Sequence, residues 1–197
     1  AHTQDIRIRH AQIVNFGRTD KSFDSNPDRS FDPLLPDSNV KGRYGLHLHM
    51  LGHGSPRALV EGVVIDGGAG WGIAQHDTDA DLLDNVVYDV FGSGIVAERG
   101  AEAGLWRGNT VIKMTGRFPC ISKGGDSVLR EDLARCGEAL WISRLVDVQD
   151  TVVAGVLNSS AIVNMTRLPA SSVPVIPPSR LFHPSVIGAD VVGVSND

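Results

Sequence analysis

Three histidines and one glutamate in this sequence could form a single chemical site. His47 and His49 alternate with apolar residues in segment 46–50, and His76 and Glu98 each end a later segment of similar pattern. Two histidines separated by one residue, with a third histidine or a carboxylate, suit zinc or nickel, and calcium is the other divalent candidate. The same groups could instead transfer protons, because imidazole titrates near neutrality and Glu98 would tune it.

A repeat of about 23 residues would bring these side chains together. Five strand-like segments start 23, 24, 23 and 19 residues apart, at Val63, Val86, Thr110, Leu133 and Val152. A second strand-like segment follows the glycine turn of each copy, and an earlier copy, 6–13, opens the array. Short segments rich in β-branched residues at this period predict an all-β fold, a right-handed parallel β-helix of about six coils. A β-sandwich is the main alternative.

The alternation of side chains along each strand predicts which residues share a face. The inward residues that align the coils are Leu46, Ile73, Ile95 and Leu140. One position later, the outer face carries His47, Ala74, Val96 and Trp141. Three positions later, it carries His49, His76, Glu98 and Ser143. Because strands of adjacent coils lie about 4.8 Å apart, we expect columns of these residues on one outer face, with Trp141 two coils beyond Glu98.

Asparagine and glycine recur in the predicted turns. Asn85 and Asn109 each precede a repeat segment, and we predict an internal ladder in which their amides hydrogen-bond between coils. We also predict positive φ angles at four turn glycines, because glycine adopts that backbone region at little cost. These four are Gly70, Gly72, Gly92 and Gly94.

The composition excludes several classes of protein. A formal net charge of −5 disfavours a nucleic-acid partner, which would require a basic face. The longest apolar runs fall short of 18 residues, so we predict no membrane insertion. The sequence also lacks a phosphate loop, a dinucleotide fingerprint and a nucleophile elbow.

We interpret residues 1–197 as a single parallel β-helix domain of a larger protein. Residues 19–42, rich in Asp, Ser, Asn and Pro, are predicted to form a loop inserted between coils. Residues 166–185 carry five prolines and are predicted to form an extended excursion before a last strand at 191–194. Neither end has a recognisable cap, and exposed strand edges invite pairing. We therefore expect self-association or neighbouring domains to cover the ends.

Each candidate residue also has a purely structural explanation. Polar columns can simply solvate the outside of a β-helix, and Glu98 could do no more than pair with Arg99, which contributes about 0–1 kcal/mol at a surface. Trp141 could pack under a loop. These explanations define the alternative function, which is a non-catalytic structural or adhesive module of a larger surface protein.

The segment around the first histidine pair resembles a known family. Residues 43–49 resemble the Arg-Tyr-Pro-x-His-Phe-His motif in the β-helix region of the cell migration-inducing hyaluronan-binding protein and transmembrane hyaluronidase family and its bacterial relatives. Later elements of that family are similar to residues 76–78, 84–89 and 98–100. The similarity covers residues 5–115 and continues more faintly to 160. It implies a β-helix and suggests carbohydrate as the ligand.

A second, smaller resemblance involves the same histidine. Residues 74–77 are similar to the Asp-Pro-His-Asp element of mannuronan C5-epimerases and related carbohydrate-binding β-helices, in which this histidine is a proposed base. Ala74 and Gln75 stand in place of the Asp-Pro pair. The chain departs from the first family at Gly45, where that family has a proline, and at Asp77, where it has a glycine. Both resemblances include His76.

The residues and the resemblances together predict a carbohydrate-active β-helix. It would bind an extracellular, uronate-containing polysaccharide on its outer face and cleave or epimerise it, at the cell surface, outside the cell or in the periplasm. Elimination beside a uronate needs a base and a neutralised carboxylate, and cations suit planar carboxylates. The predicted catalytic residues are His76, Glu98 and Arg43. The predicted metal ligands are His47, His49, His76 and Glu98. The predicted substrate-binding residues are Trp141, Asp77, Arg99, Lys123 and Arg144.

Overall fold

The chain is built entirely from β-strands over the part that the structure, a computed structural model, describes. The described residues are 5–22, 39–116, 137–143, 145–157, 162–165, 186–187 and 190–195. Within these ranges the chain forms seventeen short strands and no helix, which confirms the all-β prediction. A search of the same ranges for helices long and apolar enough to cross a membrane accordingly finds none.

Successive strands form groups of three, each of which we call a coil. The strands of the first three coils are β1 (Arg7–Arg9), β2 (Gln12–Val14), β3 (Leu46–Gly52), β4 (Ala58–Glu61), β5 (Val64–Gly68), β6 (Ile73–Thr78), β7 (Ala80–Leu83), β8 (Val86–Val90) and β9 (Ile95–Ala97). The strands of the remaining coils are β10 (Ala103–Arg107), β11 (Thr110–Ile112), β12 (Leu140–Ser143), β13 (Leu145–Gln149), β14 (Val152–Leu157), β15 (Ile162–Met165), β16 (Val186–Ile187) and β17 (Asp190–Ser195).

Every third strand belongs to the same parallel sheet. Sheet A has the order β1-β4-β7-β10-β13-β16, sheet B has the order β2-β5-β8-β11-β14-β17, and sheet C has the order β3-β6-β9-β12-β15. The chain therefore visits sheets A, B and C in a fixed rotation, and each coil adds one strand to each sheet. Parallel strands stacked in this way are compatible with a parallel β-helix.

The register within sheet C agrees with the alignment predicted from the sequence. Leu46 pairs with Ile73, and Ile73 pairs with Ile95. Ile95 in turn pairs with Leu140, because β9 and β12 are direct neighbours. Trp141 consequently lies one coil after Val96, and the prediction that it lies two coils beyond Glu98 was wrong. The strand predicted at 118–122, which would have come between them, lies outside the described residues.

A second correction concerns the repeat copy predicted at 133–137. Strand β11 pairs directly with β14, so sheet B has no place for a strand between them. Residues 133–136 of that copy lie outside the described residues. The chain leaves sheet B after Ile112 and enters sheet C at Leu140, just as it leaves sheet B after Val14 and enters sheet C at Leu46. Only residues 19–22 and 39–42 of the predicted loop 19–42 are among the described residues. The Pro-rich excursion predicted at 166–185 lies outside the described residues, and the last predicted strand is confirmed as β17.

Inward-facing side chains of the three sheets form a continuous apolar core. Ile73, Ile95 and Leu140 of sheet C are fully buried in it with residues of the other two sheets. One polar side chain, that of Gln75, also points into this core, where its Oε1 accepts a hydrogen bond of 2.8 Å from Trp106 Nε1. A buried amide is tolerated when its polar atoms are paired in this way.

The corner between sheets A and B has the same backbone conformation in each of the first five coils. One residue there has a positive φ angle, between 47° and 67°. These residues are His10, Gly62, Asp84, Gly108 and Asp150. In two coils the next residue is the predicted asparagine, and Asn85 Nδ2 donates a 2.9 Å hydrogen bond to Asn109 Oδ1. Both side chains are fully buried, which confirms the predicted ladder.

The turn glycines before sheet C are required for a different reason from the one predicted. Gly92 has a positive φ angle, but Gly70, Gly72 and Gly94 do not. A Cβ atom on Gly72 would lie 2.5 Å from Val87 Cγ1 and 2.6 Å from the carbonyl oxygen of Gly94. The prediction was therefore wrong for three of the four glycines. Successive coils approach one another too closely at this corner for a side chain to fit.

Candidate metal centre on sheet C

Three histidines converge on the outer face of sheet C. Alternation along β3 buries Leu48 in the core and turns His47 and His49 to the other face, where His49 pairs in register with His76 of β6. The ring centroids of His49 and His76 are 4.6 Å apart, and those of His47 and His49 are 5.0 Å apart. One nitrogen from each ring lies within 4.8 Å of the other two. These three side chains could hold a metal ion.

The His47 ring presents an unpaired nitrogen to this cluster. Its Nδ1 lies 2.8 Å from the carbonyl oxygen of Gly42, and since a carbonyl only accepts, Nδ1 carries the proton and Nε2 carries a lone pair. Burial lowers the pKa of His47, although the Gly42 bond and the Glu98 charge partly offset this effect. Nε2 is buried and has no hydrogen-bond partner among the described residues. Leaving a buried acceptor unpaired is costly, so this atom marks a place for a cation or a donor.

His76 is held in the same tautomer by two neighbours. Its Nδ1 lies 2.8 Å from Glu98 Oε2, and its Nε2 accepts a 3.0 Å hydrogen bond from Arg99 Nε. The bond to Glu98 raises the pKa of His76, against an opposing effect of burial. Burial by itself would raise the pKa of Glu98, but the His76 bond and nearby positive charge outweigh it and lower that pKa. Glu98 is therefore an ionised carboxylate at neutral pH.

Glu98 lies behind His76 rather than among the converging nitrogens. Its Oε2 atom is 3.9 Å from His47 Nε2 and is hydrogen-bonded to His76 Nδ1. Metal-binding histidines usually donate their second ring N–H to a carboxylate or a backbone carbonyl, which fixes the tautomer and aims the other nitrogen at the metal. His47 and His76 both show this arrangement, with Gly42 and Glu98 as the respective acceptors.

The turn after β9 positions Arg99 against His76. Arg99 Nε also lies 3.4 Å from Asp77 Oδ2. Asp77 and Arg99, which were predicted to bind substrate, therefore both lie beside the histidine cluster. The buried Glu102 carboxylate accepts hydrogen bonds from the backbone amides of Arg99, Gly100 and Ala101 at 2.7–3.0 Å. Sequence reasoning did not find this role of Glu102, for which the only signal is an acidic residue two positions after a glycine.

An apolar cluster lies beside the histidines on the same outer face. It contains Tyr44, Trp71, Ala74, Val96 and Trp141. Tyr44 stacks on Trp71 with ring centroids 4.3 Å apart, and it also contacts His47 at 5.2 Å. Trp141 is only 7% exposed, so its ring packs against this cluster and presents little surface to a sugar in this conformation.

A buried lysine covers this apolar cluster. Lys21 belongs to the inserted connection, its side chain is fully buried, and its Nζ lies 4.0 Å from the centroid of the Trp71 ring. Cations are attracted to the face of an indole, and the attraction increases when water is excluded. The Lys21 charge also helps to lower the pKa of Glu98. The sequence contained no signal for this contact beyond the position of Lys21 in a long insertion.

The remaining predicted residues do not join the cluster. Arg43 is exposed, and its backbone carbonyl accepts hydrogen bonds from the amides of Arg18 and Thr19. Within the described ranges its guanidinium makes no hydrogen bond or ion pair with the histidines. Lys123 and Arg144 lie outside the described residues.

A second polar network links the corner between sheets C and A across the coils. The Asp79 carboxylate is hydrogen-bonded to His53 Nδ1 at 2.9 Å, to the Gly54 amide at 2.8 Å and to the Ala103 amide at 2.8 Å. Burial would raise the pKa of Asp79, but these three bonds outweigh it and lower that pKa. Asp79 therefore ties the turns of three coils together as an ionised group.

Comparison of the chain with protein-family models, curated proteins and solved structures finds no match. The similarity to hyaluronidases and epimerases noted in the sequence therefore stays a prediction, and function is inferred from the geometry of the site.

Proposed function

We propose that this protein is a carbohydrate-active β-helix that binds zinc or nickel through His47, His49 and His76. The observation that carries the proposal is the shared tautomer of His47 and His76, whose Nδ1–H groups are satisfied by Gly42 and Glu98. Both Nε2 atoms therefore carry a lone pair. That of His47 is buried without a partner among the described residues, and that of His76 accepts a hydrogen bond from Arg99 Nε. Nitrogen ligands favour zinc or nickel over calcium, which prefers oxygen.

The spacing of the histidines supports metal binding after a small adjustment. Zinc–nitrogen bonds of about 2.0–2.1 Å would place tetrahedral ligand nitrogens about 3.4 Å apart. The nitrogens now lie within 4.8 Å of one another. Rotation of the side chains on the fixed strands β3 and β6 would close this difference, so no change of backbone register is needed.

We also propose that the three sheets close into a right-handed solenoid. Support comes from the fixed rotation of the chain through sheets A, B and C. Each return to a sheet is a crossover between parallel strands, and such crossovers are almost always right-handed.

A uronate-containing polysaccharide is the proposed substrate. Arg99 provides a half-exposed cation beside His76, and guanidinium groups bind carboxylates with good geometry. The Arg99 guanidinium would neutralise the carboxylate of such a sugar, and a bound metal would supply Lewis-acid stabilisation of the charge that develops beside it. A location outside the cell, at its surface or in the periplasm is part of this proposal, because such polymers are found there.

The first test is metal content, measured by elemental mass spectrometry on protein prepared without chelators. We expect one zinc or nickel ion per native chain and its loss in His49→Ala and His76→Ala. The matched control is His53→Ala, since His53 is a histidine outside the cluster that bonds to Asp79. Metal retained in both cluster variants would remove the proposed centre. Turnover on a panel of uronate polysaccharides, abolished in His76→Ala, would then test the chemistry.

A second candidate function is metal-free proton transfer by the His76–Glu98 pair. The specific observation in its favour is Arg99 Nε, which already lies 3.0 Å from His76 Nε2, where a metal ion would bind. Under this alternative the native protein carries no metal and acts on the panel, His76→Ala is inactive, and His49→Ala remains active. Inactivity of the native protein on every polysaccharide would instead favour a structural or adhesive module.

A further inference from the structure

One guanidinium lies between two side chains that could bind a metal. Arg99 Nε is 3.0 Å from His76 Nε2 and 3.4 Å from Asp77 Oδ2, and these two atoms are 3.7 Å from each other. The hydrogen bond from Arg99 uses the only lone pair of His76 Nε2, because Nδ1 carries the proton that bonds to Glu98. A metal ion bound to Nε2 needs that same lone pair. Arg99 and the metal therefore cannot contact Nε2 together.

The backbone of Arg99 is fixed while its side chain can leave. The Glu102 carboxylate accepts hydrogen bonds from the amides of Arg99 and Gly100, and Glu102 is fully buried. The side chain of Arg99, by contrast, is 49% exposed. If the guanidinium left His76, the fixed backbone of Arg99 would therefore still hold it at the edge of the cluster.

We propose that Arg99 and a metal ion compete for His76 Nε2, and that metal binding frees the Arg99 guanidinium to bind the carboxylate of an acidic sugar. This inference rests on the proposed metal centre. Arg99 occupies the position of the cation in the metal-free chain and keeps His76 in the tautomer that the metal requires. Loading of the centre and recognition of the anionic substrate are thereby coupled through one side chain.

Zinc affinity tests the competition directly. Zn²⁺ is titrated into native protein, Arg99→Met and the control Arg57→Met by calorimetry. Arg57 is a suitable control because it is similarly exposed, at 42%, and pairs with Asp81 away from the histidines. Because one charged hydrogen bond is lost, Arg99→Met should bind zinc about tenfold more tightly than the native protein does. The control should have the same zinc affinity as the native protein.

General charge repulsion has to be separated from occupancy of the nitrogen. Charge repulsion between Arg99 and zinc is largely screened at 1 M salt, where the Debye length is about 3 Å, but not at 0.1 M, where it is about 10 Å. Competition for one lone pair predicts that the tightening persists at 1 M sodium nitrate. The Arg99 Nε–H resonance in a proton–nitrogen spectrum gives an independent readout. Absence of the resonance in Arg99→Lys assigns it, and it should shift when zinc saturates the protein.

The outcomes distinguish this inference from the function on which it rests. Equal zinc affinity of native protein and Arg99→Met, with zinc still lost in His49→Ala, would overturn the competition and leave the metal centre in place. Tightening that vanishes at 1 M salt, or an Arg99 resonance unchanged by zinc, would also overturn the competition. Failure of both native protein and Arg99→Met to bind zinc would overturn the centre as well.

Binding of D-glucuronate tests the second half of the inference. Zinc-loaded native protein should bind D-glucuronate about tenfold more tightly than zinc-loaded Arg99→Met, which corresponds to one charge-assisted contact. Zinc-loaded Arg57→Met is again the control and should bind like the native protein. Equal affinity of native protein and Arg99→Met would show that the released guanidinium does not recognise the carboxylate.

Discussion

The pKa values of His47 and Glu98 are both lowered, which leaves the buried His47 neutral and the buried Glu98 ionised. Burial leaves His47 neutral, with a lowered pKa and a lone pair on Nε2. Glu98 remains ionised despite its burial, because His76 donates to it. A neutral acceptor and a buried carboxylate 3.9 Å apart form an environment that a cation would stabilise.

At the residue scale, the effect of Glu98 on metal binding can be tested. Glu98→Gln removes the carboxylate that orients His76, and loss of such a partner typically costs about 10–100-fold in metal affinity. We expect zinc titrations to show a loss of this size. Glu61→Gln is the control, because Glu61 pairs with Arg9 in a solvent-exposed ion pair. Unchanged affinity in Glu98→Gln would contradict a supporting role for Glu98.

Asp79 gives a prediction for pH dependence. Its folded-state pKa is below the ordinary value of 3.8, so its contribution to stability is present above that value and is lost as the pH falls through the folded-state pKa. Asp79→Asn should lower the free energy of unfolding by about 2 kcal/mol at pH 7. Urea unfolding from pH 2 to 7 should show that the difference in free energy of unfolding between native protein and variant decreases only below about pH 4. A constant gap over this range would contradict the prediction.

At the scale of single elements, the close approach before sheet C has a measurable cost. A Cβ atom on Gly94 would lie 2.8 Å from the carbonyl oxygen of Ala139 and 3.0 Å from Met114 Sδ. Gly94→Ala should therefore lower the free energy of unfolding by about 1–3 kcal/mol. The control is Gly45→Ala at the equivalent position of the first coil, where the nearest atom would be 3.3 Å away. A similar loss in both variants would mean that crowding is not the cause.

The strands of sheet C were largely predictable from the sequence, and the connections were not. Apolar alternation around Leu46, Ile73 and Ile95 has one inward register, which the structure confirms. The segment at 133–137 resembles a repeat copy because it combines apolar residues with a terminal glycine. Local pattern alone could not show that β11 pairs with β14 across this segment. Contacts that depend on an insertion, such as Lys21 over Trp71, have no periodicity to reveal them.

The orientation of the histidines and the pairing of His76 with Glu98 were predictable, but the contacts made through turns were not. Alternation places His47, His49 and His76 on one face, since side-chain direction follows from strand periodicity. The Gly42 carbonyl and the Glu102 carboxylate act through turns whose backbone paths have no regular period. The tautomers on which the proposed chemistry depends therefore became visible only in three dimensions.

At the scale of the whole molecule, each coil contacts only its neighbours, so stability should vary along the stack. The amides of His10 and Asn15 in the first coil donate to the second coil. Within the described chain, no further coil packs on the other side of the first coil. Those of Val86 and Thr110 lie between coils that are packed on both sides. Hydrogen exchange should be slower at the central amides, on the order of a hundredfold. Uniform exchange along the stack would indicate that all coils unfold together.

Because the corner between sheets A and B has the same backbone conformation in successive coils, the molecule could be shortened or lengthened by one whole coil at a time. Glu61 stacks on Leu83, and the residues that follow them, Gly62 and Asp84, have the same left-handed backbone. Excision of residues 62–83 would join Glu61 to Asp84, and the backbone conformation at the junction would not need to change. A genetic duplication of the same unit would extend the stack by about 4.8 Å. Recombination at this position would thus shorten or lengthen the protein. The shortened form would lose His76, and with it the proposed metal centre, but would keep the stacked sheets.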